Sequence, residues 1–353
     1  MVSIMEIMEN AVHAYASDIH LTVGIPPAFR INGNLEYYGK TILTDNDTKN
    51  YINQILDEYQ IKQLDTHGQV DVPFFLPGIA RFRINAYKQR GYYALAIRII
   101  CINPPTLDEL GFPECLKELA MKSRGLVLVT GPAGSGKSTT LAAMISYINQ
   151  NKNCHIITLE EPIEYLHDHN RSIINQREIG SDCKTFSEAL RAALREDPDV
   201  IMVGEMRDLE TIATAITAAE TGHLVMSTLH TITADQTIDR IIDSFPAHQQ
   251  SQIKIQLAGV LEGIISQQLL PMKNVQRRKA AMEILLVNNA VRNLIREGRT
   301  HQIQTSIQTG IKAGMRPMDY SLAELVQRNL VSYETAFARA VNKELFQQYM
   351  KTN

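Results

Sequence analysis

A glycine-rich loop between an apolar strand and a helix constrains this chain more than any other sequence feature. Residues 131–138 fit the phosphate-binding pattern G-x-x-x-x-G-K-S. The preceding run 125–130 is almost entirely apolar, as in a buried parallel strand, and the apolar residues of 141–148 repeat at helical spacing. This order of strand, loop and helix predicts a P-loop domain of the α/β class that binds a nucleoside triphosphate.

The residue types of the loop explain how it would bind a nucleotide. Its glycines let backbone N–H groups turn inward toward phosphate oxygens, beside the positive end of the following helix. Lys137 supplies a cation for the β- and γ-phosphates, and the Ser138 hydroxyl can ligate Mg²⁺. We therefore expect ATP and Mg²⁺ as cofactors. The predicted nucleotide-binding residues of the loop are Gly131, Pro132, Ala133, Gly134, Ser135, Gly136, Lys137, Ser138 and Thr139.

Acidic residues follow two further predicted strands. The apolar run 155–159 leads into the segment 160–164, which holds three glutamates, and the run 200–203 precedes Gly204 and Glu205. Carboxylates at the ends of parallel strands beside a P-loop can orient an attacking water or reach Mg²⁺ through waters. We expect Glu160 and Glu205 to serve the metal in this way. For the segment 160–164 the alternative is a solvated acidic turn.

Basic and histidine side chains form a second group of candidates. A helix that begins with a capping box at 185–188 carries Arg191 and Arg195, which are four residues apart and therefore share a face. They are either surface arginines paired with nearby acids or arginine fingers that reach the phosphates of a neighbouring subunit. His230 ends another apolar strand, where it can sense the γ-phosphate. Taken singly, His223 and His230 are more often structural residues.

The pattern along the chain predicts four regions. Residues 1–102 form a small α+β domain, and 103–123 form a proline-punctuated linker with a short helix. Strands and helices alternate over 124–270, the signature of a parallel α/β sheet. Residues 271–353 have a helical and polar pattern. The sequence therefore predicts an N-terminal α+β domain, a P-loop domain and a helical C-terminal region.

Alternating apolar and polar residues define the first domain. Strands are predicted at 19–23, 81–86 and 93–99, and a helix at 45–63. Asn32-Gly33 predicts a tight hairpin between two of the early strands. These patterns are typical of a small α+β domain.

Composition limits the functional classes. The net charge of −3 and the lack of a basic–aromatic stripe give no indication of a nucleic-acid partner. No apolar run approaches the ~20 residues of a membrane helix, and Met1 to Glu6 lack the pattern of a signal peptide. The four scattered cysteines form no zinc or disulfide pattern. We therefore expect a water-soluble cytoplasmic protein without direct membrane insertion. The cysteines are Cys101, Cys115, Cys154 and Cys183.

Together these motifs resemble those of the secretion-ATPase superfamily, which powers type II secretion and type IV pili. The resemblance runs from 16–21 to 314–322, with four motifs in the family's order, and it is strongest to the pilus-retraction branch. It implies a PAS-like N-terminal α+β domain followed by a RecA-like P-loop ATPase domain with a helical C-terminal extension.

The resemblance also implies roles for individual residues. Glu164 falls on the position of the catalytic glutamate, the general base for water, and Glu205 on the acid of the Walker B motif. The segment 219–230 corresponds to the family's His box. In this family, arginines of the N-terminal domain reach the nucleotide, here Arg83 and Arg98. The family's acidic box usually has Asp where this chain has Glu161, so the role of Glu161 stays open.

At the level of function, the resemblance implies a homohexamer that hydrolyses ATP to retract and disassemble type IV pili in twitching motility. It would dock on an inner-membrane platform protein, at the inner face of the cytoplasmic membrane, and act only indirectly on the pilin fibre. Extension and secretion ATPases typically carry a longer N-terminal region and a four-cysteine insert, which this chain lacks. Residues 290–297 are similar to the retraction signature; on residues alone they predict an amphipathic helix with Arg292 and Arg296 exposed.

Other functions remain as alternatives. A pilus extension or type II secretion ATPase would share all four motifs. A RecA-like nucleic-acid motor has the same core but needs a basic binding surface. An ATP-gated regulator is disfavoured because both Glu164 and Glu205 accompany a full P-loop. A GTPase is disfavoured because the segment 151–153 is not followed by the Asp that reads guanine.

Overall fold

The computed structural model describes residues 3–31, 33–100, 104–273 and 277–351. Asn32 of the predicted hairpin, Cys101 and the predicted boundary at residues 102 and 103 lie outside these ranges. The chain divides into two compact units. One contains Met1–Asn103 with Glu164–Leu166, and the other contains Pro104–Ile163 and His167–Asn353.

The first unit is an antiparallel sheet with helices. Its described strands form a six-stranded sheet in the order β3-β2-β1-β6-β5-β4. The strands are β1 (Asp18–Leu21), β2 (Ala28–Ile31), β3 (Asn34–Tyr37), β4 (Gln69–Leu76), β5 (Ala80–Gln89) and β6 (Tyr92–Ile100). The helices are α1 (Ile4–His13), α2 (Asp45–Ile55) and α3 (Glu58–His67). Apolar residues of the helices and of one sheet face form a single core cluster.

The predicted strands of this unit are confirmed. On β5, Phe82 and Ile84 are buried while Arg83 between them is exposed, as alternation requires. Strands β2 and β3 pair as a hairpin, with Ile31 opposite Asn34. The single helix predicted over 45–63 is instead two helices, because Thr44 and Asp57 each cap a new helix.

The second unit contains a mostly parallel sheet with helices on both faces. Its described strands form a seven-stranded sheet in the order β13-β12-β7-β11-β10-β8-β9, in which only β12 and β13 pair antiparallel. The strands are β7 (Gly125–Thr130), β8 (His155–Glu160), β9 (Ile173–Glu178), β10 (Val200–Val203), β11 (Leu224–Leu229), β12 (Leu261–Pro271) and β13 (Arg278–Leu286). The helices are α4 (Leu107–Leu110), α5 (Cys115–Ala120), α6 (Lys137–Asn151), α7 (Phe186–Ala193), α8 (Leu209–Glu220), α9 (Ala234–Asp243), α10 (Gln250–Val260), α11 (Asn289–Glu297), α12 (Ile303–Thr309), α13 (Met318–Gln327), α14 (Tyr333–Arg339) and α15 (Lys343–Lys351).

The central strands of this sheet are buried on both faces. Every residue of β7, β10 and β11 is buried, which explains why their sequences are nearly continuous apolar runs rather than alternating ones. Two core clusters fill the space between the sheet and the helices. The predicted α/β class, with an N-terminal sheet domain and C-terminal helices, is confirmed.

The residues beyond Leu270 differ in part from the prediction of helix. The residues 278–286 form β13, antiparallel to β12, and only after them does the chain become helical. This segment is rich in Ala, Met, Glu and Leu, which favour helix, so its pairing with β12 decides its structure. None of the helices in the described parts of the chain is long and apolar enough to span a membrane.

Candidate nucleotide-binding site

The predicted P-loop lies between the buried strand β7 and helix α6. Gly131, Gly134 and Gly136 have φ of 140°, 72° and 89°, a region that favours glycine. A Cβ atom on Gly131 would lie 2.2 Å from the backbone oxygen of Gln267, so no side chain fits there. The N-cap residue of α6 is Gly136, which has no side chain that could cap the helix. The N–H groups of the first turn of α6 are therefore not capped by that residue and lie next to the loop.

The contacts of the loop suit a phosphate group. The Ser135 hydroxyl is buried and has no hydrogen-bond partner among the described residues. The Lys137 ammonium donates to the backbone oxygens of Gly131 (2.8 Å) and Pro132 (3.1 Å), so it lies across the loop. A buried hydroxyl, a helix N-terminus and an ammonium at one loop together fit an anion. Ser138, the predicted Mg²⁺ ligand, is half-buried in the first turn of α6.

The structure brings three of the predicted residues together. The His230 Nε2 atom lies 3.0 Å from the Glu205 Oε1 atom, and His230 Nδ1 lies 3.5 Å from the Lys137 ammonium. Parallel strands explain this, because the carboxyl ends of β7, β10 and β11 meet at one edge of the sheet. Glu205, His230 and Lys137 thus form one continuous chain of contacts.

Arg207 belongs to this cluster, although no sequence motif pointed to it. Its Nη2 atom lies 2.8 Å from Glu205 Oε2, and its Nη1 atom lies 3.6 Å from Glu161 Oε2. Burial alone would raise the pKa of Glu205, but the Arg207 hydrogen bond and the charges of His230 and Arg207 hold that pKa below its usual value. The one indication of Arg207 in the sequence was its position two residues after Glu205, the predicted Walker B acid. The contact also gives Glu161, whose role was open, a partner.

The first residue of the acidic segment is buried rather than solvated. Glu160 ends β8, and its Oε1 atom accepts hydrogen bonds from the Thr158 hydroxyl (2.6 Å) and the Gln176 amide (3.0 Å). The alternative of a solvated acidic turn is therefore wrong for Glu160, while Glu161 is exposed. Contact of Glu160 with a metal through water stays a prediction.

The two candidate arginine fingers lie at the end of helix α7. Arg191 is in its last turn, and Arg195 is in the turn that follows Ala193, the last residue of the helix. Arg191 forms an ion pair with Glu210 and donates to the Ser187 hydroxyl at 3.0 Å. These contacts agree with the structural interpretation of Arg191. A role of either arginine in a neighbouring subunit stays a prediction.

Three further predicted site residues belong to the first unit. Arg83 and Arg98 lie directly opposite each other on β5 and β6, on the exposed face of the sheet. Arg83 pairs with Asp71 at 3.6 Å, and Arg98 pairs with Asp18 at 3.2 Å. Glu164 is exposed and groups with this unit. Their contacts with nucleotide stay predictions.

Known proteins resemble this chain along nearly its whole length. The family described as Type II/IV secretion system protein matches residues 1–349. The "Type IV pilus retractation ATPase PilT" of Pseudomonas aeruginosa is 46% identical over 343 residues, covering 97% of this chain and 99% of the relative. The "Twitching motility protein" of Neisseria gonorrhoeae is 46% identical over 318 residues, 90% of this chain and 85% of the relative. A crystal structure of the pilus retraction motor PilT with bound ADP superposes with a TM-score of 0.91 at 46% identity, covering 99% of this chain and 100% of that one. The chain belongs to the Type II/IV secretion system protein family.

Proposed function

We propose that this chain is the subunit of an ATP-driven motor that retracts type IV pili. The observation that carries the proposal is the chain of contacts from Lys137 through His230 to Glu205 at the end of a P-loop sheet. It occurs in a chain that matches a pilus retraction ATPase over 343 residues at 46% identity. Nearly full coverage of that relative supports retraction over extension or secretion.

The residues at the sheet edge suggest how hydrolysis proceeds. The P-loop binds the phosphates of ATP, and Lys137 exchanges its loop carbonyls for phosphate oxygens. Ser138 would ligate Mg²⁺, with Glu160 and Glu205 acting through waters, and the ion would supply positive charge against the phosphates. Glu164 orients and deprotonates the attacking water. Arg83, Arg98, Arg191 and Arg195 are candidates to offset the negative charge that develops on the transferred phosphoryl group.

The same family likeness supports a proposal for the assembly. We infer a homohexamer in which nucleotide lies near the next subunit, docked on an inner-membrane platform protein at the cytoplasmic face. Hydrolysis changes the angle between the two units of each subunit and so converts chemistry into displacement. The pilin fibre is reached only through the platform protein. No nucleic-acid partner is proposed.

Fibre retraction in a bacterial strain that lacks its own retraction ATPase tests this function. The wild-type chain is expected to restore twitching motility, and a Glu205→Gln variant is expected to fail although the protein is made. A wild-type chain that increases the number of surface pili without retraction would instead assign it to extension. Adding DNA to an ATPase assay separates the nucleic-acid motor, since strong salt-sensitive stimulation would support that alternative.

A further inference from the structure

Strand β12 is held at two points along its length by polar side chains, one buried and one half-buried. Gln267 contacts the P-loop, and Glu262, five residues earlier, contacts helix α11. At ~3.3 Å per residue these two points are separated by roughly 16 Å. The same strand therefore touches the nucleotide-binding loop and the helix that carries the retraction-like signature.

The Gln267 side chain uses both ends of its amide on the P-loop. It is only 2% exposed; its Nε2 atom donates to the backbone oxygen of Ser135 (2.6 Å), and its Oε1 atom accepts from the Thr140 hydroxyl (2.8 Å). Ser135 and Thr140 lie on either side of Lys137 in the sequence. The amide therefore fixes the spacing between the turn of the loop and the first turn of α6.

A β-bulge directs Glu262 toward α11. The register between β12 and β7 shifts between Leu261 and Gly263, so Glu262 is the extra residue. The Glu262 side chain passes close to Gly125, the first residue of β7. A Cβ atom on Gly125 would lie only 2.5 Å from the Glu262 Cγ atom. The carboxylate pairs with Arg292 at 2.7 Å and with Lys122 at 3.0 Å.

Arg292 is a half-buried residue of the second unit. One guanidinium nitrogen, Nη1, donates to the backbone oxygens of Ala258 (2.6 Å) and Gly259 (2.8 Å), in the last turn of α10. Its Nη2 atom donates to Glu262 at 2.7 Å. With 19% of its side chain exposed, Arg292 is not the exposed arginine that the sequence predicts. Arg296, one turn later, is exposed and bonds Asn293 of its own helix.

The part of β12 between the two points is rigid. Gly263 to Ser266 pair with β7 on one side and β13 on the other, and Ile264, Ile265 and Ser266 are fully buried. A packed strand transmits displacement rather than absorbing it. We propose that Gln267 is a positioning residue for the P-loop, and that β12 links it to α11 through Glu262 and Arg292. The inference rests on the proposed function, because it assigns the nucleotide to this loop.

Binding of a fluorescent ADP analogue without Mg²⁺ tests the role of Gln267. Gln267→Met removes both hydrogen bonds at nearly constant length, and we expect its Kd to rise by about tenfold. Gln268→Met is the matched control on the next residue, whose amide contacts only the backbone oxygen of Arg339 at 3.5 Å among the described residues. If the Met variant does not fold, Gln267→Asn replaces it in the test, because its side chain is one methylene shorter and does not reach both partners. Unchanged affinity in a folded Gln267 variant would overturn the role.

A double-mutant cycle tests the link along β12. The first cycle combines Arg292→Gln with Gln267→Met. The control cycle combines Arg296→Gln with Gln267→Met. Distant independent sites contribute additively, so we expect the Arg292 cycle to depart from additivity by about threefold or more in Kd and the Arg296 cycle not to. Additivity in both cycles would overturn the link. If the wild-type chain does not bind ADP at all, the proposed function fails instead, which is a separate outcome.

Discussion

At the scale of single residues, burial and neighbouring groups shift the pKa values of two carboxyl groups in opposite directions. Burial raises the pKa of Glu205, but Arg207 and His230 outweigh this effect and hold the pKa below its usual value. In Glu283 of β13 burial dominates and raises the pKa to about 7, although the side chain accepts hydrogen bonds from the Ala234 N–H (2.8 Å) and the Gln304 amide (3.2 Å). The first group is suited to a cation, whereas the second is a pH-sensitive structural residue.

Replacing Glu283 by glutamine is expected to change how stability depends on pH. The folded chain binds the Glu283 proton more tightly than the unfolded chain does, so the stability that this proton contributes is lost as pH rises from about 4.5 to about 7. The loss amounts to about 3 kcal/mol of unfolding free energy. The Glu283→Gln side chain keeps an acceptor for Ala234 without a charge, so the variant should gain stability relative to wild type above pH 7. Urea unfolding of both proteins at pH 5 and pH 8 measures this difference; equal differences at the two pH values would contradict it.

At the scale of elements, helix α11 has two arginines with different environments. Val291 and Ile295 pack into the core, Asn288 caps the helix start, and Arg292 holds the end of α10. Arg296 makes none of these contacts and is exposed. One face of α11 therefore packs into the second unit, and another face, which carries Arg296, is exposed.

Truncating each arginine separately should reveal this division. Arg292→Ala removes three charge-assisted hydrogen bonds and leaves Glu262 with Lys122 alone, so we expect the unfolding free energy to fall by about 2–3 kcal/mol. Arg296→Ala is expected to change it by less than ~0.5 kcal/mol, as at ordinary surface positions. Thermal or urea unfolding of the two variants beside wild type checks both values. Equal effects would show that Arg292 does not anchor the helix.

The same comparison predicts a functional difference for the exposed arginine. If the signature at 290–297 serves retraction beyond hydrolysis, Arg296→Ala should abolish twitching motility while ATP turnover stays within about twofold of wild type, since Arg296 lies outside the nucleotide site. Arg292 is left unchanged in this experiment, because its expected effect on stability would be added to any effect on retraction. Normal motility in Arg296→Ala would remove Arg296 from that role.

The elements also show what sequence patterns can and cannot predict. The strand, loop and helix from 125 to 151 were predictable from local sequence patterns. A buried strand is a continuous apolar run, and an amphipathic helix has apolar residues at helical spacing. β13 was not predicted because its residue types favour helix. Only its pairing with β12, which is not visible in the local sequence, makes it a strand. Gln267 was missed because Ser135 and Thr140, its partners, lie more than a hundred residues away. Contacts between distant residues leave no periodic signal.

At the scale of the whole molecule, one chain combines two compact units of different architecture. The first is an antiparallel sheet domain that carries Arg83, Arg98 and Glu164, and the second is the P-loop unit with Lys137 and Glu205. The residues proposed to act in catalysis come from both units, so the proposed mechanism would make hydrolysis depend on both of them, as a motor requires. The proposed assembly combines such subunits in a homohexameric ring.

Turnover of ATP by the purified chain, measured together with its mass in solution, tests the central claim most directly. The wild-type chain is expected to be a hexamer with Mg²⁺-dependent turnover. Glu164→Gln is expected to bind ATP and keep the hexameric mass but to turn over at least ~10²-fold more slowly, the scale of losing a general base. A wild-type monomer without turnover at any concentration, or a Glu164→Gln variant as fast as wild type, would contradict the claim.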